Sequence, residues 1–371
     1  MSEYQYYEFQ TIDRPLTKAE QEAVSLLSSR VQLSSTKAIF TYSYGDFRGD
    51  PKDLLIQYFD AMFYMANWGT LQLMFRFPKG LIDVERMQKY CIEDLIAVSE
   101  INNFVILEIS REEEEGFGWI EGEGNLSSLI GLRQEILQGD YRLLYLAWLK
   151  AISALDIDEL NEEELEPPVP PGLGKLSSSL EAFIDAFELD EHLLKVATTA
   201  SAAKPSISEN SLKAAITKLD RSESDTFLLR LAKGESNLSF ELGKRLSQMM
   251  EGMEDVSIGE RTIRQLLESA EQEQKKSDRK KEQATEALRV RELEALALRE
   301  TAAWEDVEAL IQKGTSKSYD EVVPLLLKLR DLADYQNQQA NFSTRLKQLH
   351  EQYSSRSGLK RRLLEANLQS T

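Results

Sequence analysis

The residues best suited to chemistry in this sequence are few, and their placement decides what they can do. Nucleophilic catalysis of the Ser–His–Asp or Cys–His kind needs a histidine within reach of the nucleophile. Only two histidines occur, His192 and His350, and both fall in stretches of helical periodicity in the second half of the chain. His192, in DEHLLK, reads as a polar-face residue, and His350, after Leu349 near a helix end, as a partner of the C-terminal helix dipole. The single cysteine, Cys91, lies beside Ile92 after an apolar stretch and reads as a buried core thiol rather than a reactive one. Three scattered Cys and His side chains make no zinc set. Glu112–Glu115 and Glu162–Glu164 are the densest carboxylate runs and the only candidates for Mg²⁺ or Ca²⁺. Contiguous carboxylates usually form solvated faces, and the DxDxDG loop is absent. The run Gly116–Gly124 superficially resembles a phosphate loop. It lacks both the GxGxxG spacing and a GK[ST] ending, so it reads as a turn. The sequence thus assigns no catalytic, metal or cofactor-binding residue, and no cofactor.

Two sets point to interaction instead. Tyr42, Tyr44, Phe47 and Trp68, the last followed by Gly69, gather aromatic rings around two expected turns. Together they could line a peptide groove, or they could close the end of a sheet as ordinary core. Arg356, Lys360, Arg361 and Arg362 put four positive charges on a terminal helix. They could touch nucleic acid or an acidic domain, or simply solubilise a helix face.

The elements that must carry these residues follow from periodicity. Residues 4–12, 36–44, 70–77 and 104–110 alternate or are rich in β-branched and aromatic types, and read as strands. Thr17 heads an acidic Ala- and Leu-containing run reaching Arg30, and Asp50-Pro51 opens a second helix whose apolar stripe from Leu54 to Met65 repeats at three and four. A short helix over 83–90 and one long helix over 126–154 complete an α+β domain at residues 1–155, a sheet with packed helices. Residues 156–175, with DIDELNEEELEPPVPPGLG, have the composition of an extended Pro/Glu-rich linker. Short helices are expected over 176–255, with a long and partly coiled-coil-like helix over 256–313. Its middle, 271–283, holds no apolar residue. Residues 314–371 read as a helical hairpin, 319–335 against 338–353, and a basic terminal helix, with Pro324 in the hairpin's first turn. The expected fold is therefore an α+β domain followed by an all-α arm.

Charge is uneven. Of 63 acidic and 44 basic residues, giving −19, residues 1–170 hold 30 and 14, so nearly all the net charge sits in the first domain. Such a field repels nucleic acid and anionic lipid and favours basic partners. No apolar run approaches the ~18 residues that span a bilayer, and MSEYQYYEF lacks the basic and apolar pattern of a secretory leader. With one cysteine, these features suit a reducing, cytoplasmic setting.

The opening MSEYQYYEF, the NWGT turn at Asn67–Thr70 and the EPPVPPGL stretch at Glu166–Leu173 resemble a bacterial protein family that carries no assigned chemistry. The C-terminal stretch from Tyr319-Asp320 through LLLKLRDLA, FSTRLKQLHEQY and LKRRLLEANL is similar to a tail found on bacterial SWIM zinc-finger proteins. The CxC and CxH pairs of that finger are missing here, so the resemblance implies shared partners rather than metal binding. The expected function is a non-enzymatic interaction or scaffold component with another protein as partner, including self-association through 256–353. Membrane and nucleic-acid partners are not expected. Two alternatives are a carboxylate-dependent hydrolase or transferase in the first domain, and an accessory nucleic-acid binder acting through the basic C-terminus.

Overall fold

The computed structural model describes residues 4–43, 45–112, 126–155, 161, 163–204, 208–235, 237–249 and 259–368. Tyr44, the glutamates at 113–115, the glycine run 116–124 and position 162 lie outside the described residues. The chain divides into two compact units, Met1–Gln274 and Lys275–Thr371.

In the first unit, seven strands form one sheet. They are β1 (Gln5–Gln10), β2 (Gln32–Leu33), β3 (Lys37–Tyr42), β4 (Ala61–Ala66), β5 (Leu71–Pro78), β6 (Ile96–Ile101) and β7 (Phe104–Arg111). Their order is β2-β3-β1-β4-β5-β7-β6, and every neighbouring pair is antiparallel. The helices of this unit are α1 (Lys18–Ser25), α2 (Pro51–Tyr58), α3 (Val84–Gln88), α4 (Leu126–Leu129), α5 (Gly131–Leu137), α6 (Arg142–Ala154), α7 (Ser178–Phe187), α8 (Glu191–Thr199), α9 (Glu209–Lys218), α10 (Arg221–Ala232) and α11 (Leu238–Met249).

The central strands bury both faces, as the period of two requires. Ala61, Phe63 and Met65 of β4, Leu73, Phe75 and Phe77 of β5, and Val105, Leu107 and Ile109 of β7 face a core closed by α4 to α8. Phe9, Met62, Met74 and Ile106 face a second core, closed by Val24 of α1 and Leu54 and Leu55 of α2. Thr17 caps α1 in a reciprocal box with Glu20, and Asp50 caps α2 with Pro51 in its first turn, as their spacing predicts.

Three expectations fail here. The helix expected from Asp50 to Met65 ends at Tyr58, and its second half is β4. An apolar run with no polar interruption satisfies both periods, and a strand buried on both faces uses every one of its residues. The single helix expected over 126–154 is three, with Gly139 at φ 81° before α6. The linker expected over 156–175 is packed wherever it is described from Glu166 to Leu173: Glu166 is 1% exposed and Leu173 2%, and the compact unit runs on to Gln274. Prolines lack an N–H, so burying them leaves no donor to satisfy.

The helix α12 (Ile263–Ala297) begins in the first unit, where Ile263 and Leu266 join the core. The second unit holds its end with α13 (Glu300–Lys313), α14 (Ser316–Tyr335), α15 (Gln339–Gln352) and α16 (Ser357–Glu365). The hairpin is as expected: Val322, Leu326, Leu329 and Leu332 of α14 meet Phe342, Leu346 and Leu349 of α15, with Trp304, Val307 and Ile311 of α13 in the same core. The long helix breaks at Leu298–Arg299, and nothing in the sequence marks that break. Pro324 lies inside α14 rather than in its first turn, because Thr315 and Ser318 form a capping box that starts the helix at Ser316.

Candidate functional site

Among the described residues, the aromatic set does not line a groove. Phe47 is buried with its ring centroid 5.0 Å from Tyr7 and 5.1 Å from Phe40, and Tyr42 packs edge-on to Phe47 at 6.3 Å. Both belong to the core under α1 and α2. Tyr7 donates to Gln5 Oε1 at 2.8 Å, and burial, with Tyr64 beside it, pushes the Tyr7 phenol up from its ordinary value. Trp68 stands on the β4–β5 turn, 43% exposed. The structure brings Tyr42 and Phe47 together as packing; Tyr44 lies outside the described residues.

The buried charges are paired and structural. Asp60, 1% exposed, accepts from the Ile12 and Asp13 amides at 2.6 and 2.9 Å and from Arg76 Nη2 at 2.7 Å. Burial alone would raise its pKa, but the Arg133 charge, the Ile12 amide and Arg76 outweigh it and hold the carboxyl below its usual value. Arg133 grips Asp13 through two bonds of 2.9 Å each and donates to the Arg76 carbonyl at 2.8 Å. This network ties the β1–α1 turn, the start of β4, β5 and α5 together.

A second network holds the proline-rich segment. Tyr145 Oη donates to Glu166 Oε2 at 2.7 Å, while Arg261 donates from Nε to Oε1 at 2.7 Å and from Nη2 to Oε2 at 2.8 Å. Burial and the adjacent Glu166 carboxylate push the Tyr145 phenol well up, so it stays a donor. Tyr90 donates to the Pro168 carbonyl at 2.7 Å, and Arg142 to the carbonyls of Gly172 and Lys175 at 3.1 and 2.8 Å. Gly259 is obligatory, since a Cβ there would stand 2.0 Å from Glu166 Cγ.

His192 is buried rather than on a solvated face, with Nε2 3.5 Å from Glu191. His350, in the last turn of α15, pairs its Nε2 with the Leu368 carbonyl at 2.9 Å. Cys91 is half-buried, and burial pushes its thiol up despite a bond from the Val98 backbone. Among the described residues no three His, Cys, Asp or Glu side chains gather to hold a metal ion, and no helix is long and apolar enough to cross a membrane.

Of the terminal cations, Arg356 donates to Tyr319 Oη at 3.1 Å, and Arg362 donates to Asp320 at 2.5 Å and Ser316 Oγ at 2.7 Å. Both clamp α16 onto α14. Arg361 pairs loosely with Glu365 at 3.6 Å, and Lys360 is exposed.

What remains unabsorbed by packing lies on α10 and α11, which sequence patterning did not single out. α10 buries none of its residues, yet Leu228, Leu229 and Leu231 are 62%, 58% and 63% exposed. Beside it opens a groove of about 830 Å³ between residues 78–81, at the end of β5 and just beyond it, and the α10–α11 hairpin, lined by Lys79, Arg230, Lys233, Lys244 and Arg245 among others. Three leucines within four positions of a helix with a weak apolar stripe were the available signal. No family model, curated protein or solved structure matched the chain.

Proposed function

We propose that this chain is a non-enzymatic interaction or scaffold component that docks another protein through α10. The observation that carries the reading is the exposed leucine set there. A helix of 12 residues is marginal in water without an apolar face to bury, and contiguous exposed apolar surface marks interaction sites. The buried Asp60 and Glu166 are each engaged by arginine, which gives a carboxylate-dependent hydrolase no geometric support. Arg356 and Arg362 are spent on α14, which weakens the nucleic-acid reading. Self-association through 256–353 is the lesser part of the proposal, because the leucines of the hairpin bury one another. A cytoplasmic setting suits the single half-buried cysteine.

The test is affinity purification of the tagged chain from cells that make it, side by side with a Leu228→Glu/Leu231→Glu variant. One protein retained by the native chain and lost by the variant is the expected result. Turnover of a metabolite by the purified chain, lost on changing a single residue of the first unit, would overturn the reading.

A further inference from the structure

We infer that the groove between residues 78–81 and the α10–α11 hairpin binds an acidic segment of a protein partner. The inference rests on the reading of the chain as an interaction protein, and names the chemistry of what it docks. The groove lining holds five cations, Lys79, Arg230, Lys233, Lys244 and Arg245, against two carboxylates, Glu235 and Glu241. This local sign is the reverse of the chain's net −19.

The cations are not equally committed. Arg230 donates to Glu235 at 2.6 Å and to Glu241 at 2.7 and 2.9 Å, Arg245 pairs with Glu223, and Lys79 with Glu100. Lys244 donates to the Gly80 carbonyl at 2.9 Å and has no carboxylate partner among the described residues; neither has Lys233. Among the described residues, therefore, two ammonium groups have no counter-charge in a groove whose other cations are held in place by their partners. The paired ones are partly exposed, Arg230 at 30% and Arg245 at 43%, and exposed pairs are worth little, so an incoming carboxylate exchanges with them cheaply.

The shape and lining choose among anions. The trough is open, and only Pro78 and Leu81 among its lining residues are apolar, whereas small-molecule pockets are enclosed and mostly apolar. No lining residue is aromatic, so single-stranded nucleic acid finds no stacking platform, and its long run of phosphates meets the repulsion of the whole chain. A short run of Asp or Glu meets only the local cations, because charges beyond about 8 Å are screened at physiological salt. Leu229 and Leu231 flank Arg230 in sequence and are largely exposed; they suit an acidic segment that also carries apolar side chains.

The experiment measures fluorescence anisotropy of a labelled Glu/Leu peptide with the full chain, beside its Gln/Leu counterpart, a short single-stranded DNA and inorganic phosphate. Binding of the Glu/Leu peptide, weakened by added salt and about tenfold by Lys233→Glu/Lys244→Glu, is the expected result. Lys233→Glu alone, which breaks no side-chain hydrogen bond or ion pair among the described residues, weakens it about threefold, and Arg221→Glu at 89% exposure outside the groove leaves it unchanged. Equal binding of the Gln/Leu peptide, an unaffected charge-reversal variant, or displacement by DNA or phosphate at equal concentration overturns the proposal. If the peptide fails to bind while the native chain still retains a partner that the leucine variant loses, the groove assignment falls and the interaction reading stands.

Discussion

Residues 163–174 and residues 271–292 are two stretches with few core-forming side chains, and they are held in opposite ways. In the first, Glu166, Pro168 and Leu173 are buried, and Tyr90, Tyr145, Arg142 and Arg261 each bond to the segment. In the second, no residue is buried and the backbone is one continuous helix within α12. The contrast shows that composition states what a segment lacks, while burial depends on what its neighbours supply. A glutamate goes inside when an arginine and a tyrosine meet its oxygens. A helix of Glu, Gln, Lys and Arg has only its own backbone bonds and charge pairs to hold it.

The largest expected effect comes from unmaking the first of these. Arg261→Ala leaves Glu166 buried without its cation and is expected to cost about 3–5 kcal/mol, read in urea denaturation of the full chain as a lower midpoint for the first unit's transition. Restoring the charge with Lys should recover only part, because an ammonium cannot bond both carboxylate oxygens in the fork geometry. A cost near zero would mean that the segment is held by shape alone.

Leu329→Ala sharpens the comparison from the other unit. Leu329 is 2% exposed between α13, α14 and α15, and its truncation is expected to cost about 2–4 kcal/mol. Amide exchange should rise across residues 300–365 and stay unchanged in the strands. Unchanged exchange with a lost partner interaction would make the stripe a docking face instead of a core.

The acid limit of the first unit is the third measure. The Asp60 pKa is depressed in the folded chain, so its contribution is present above the unfolded value and is lost as pH falls through the folded one. Stability should therefore drop below about pH 4, and Asp60→Asn, although less stable at neutral pH, should flatten that slope. The smallest effect belongs to the charged helix: Lys280→Ala, at an exposed position of its middle, is expected to stay within about 0.5 kcal/mol of the parent.

Local signals were read correctly where the chain's own neighbours decide the outcome. The Thr17–Glu20 box, the Asp50-Pro51 start, β1, β3, β5, β7 and the hairpin of α14 and α15 all rest on contacts within a few residues or on one clean period. Where a distant residue decides, the pattern misled. Residues 61–66 became a strand because β1 and β5 stand on either side of them. The proline segment became core because Arg261, almost a hundred positions later, answers Glu166. β6, with Ile96, Val98 and Ile101 among polar residues, gave too weak an alternation to stand out, and it is an edge strand. The candidate site was barely legible: the leucine- and arginine-bearing turns of α10 look like those of any amphipathic helix until their exposure is known.

The most direct test of the account is hydrogen–deuterium exchange on the intact chain, comparing peptides over 164–176 with peptides over 271–292. The amides of Glu166, Gly172 and Leu173 donate to the Arg261 carbonyl, the Ala202 carbonyl and Ser201 Oγ at 2.9, 2.8 and 3.0 Å. They should be protected to the level of the central strands, while the exposed helix exchanges faster by local fraying. Exchange of 164–176 within seconds, ahead of 271–292, would contradict the account and return that segment to a linker.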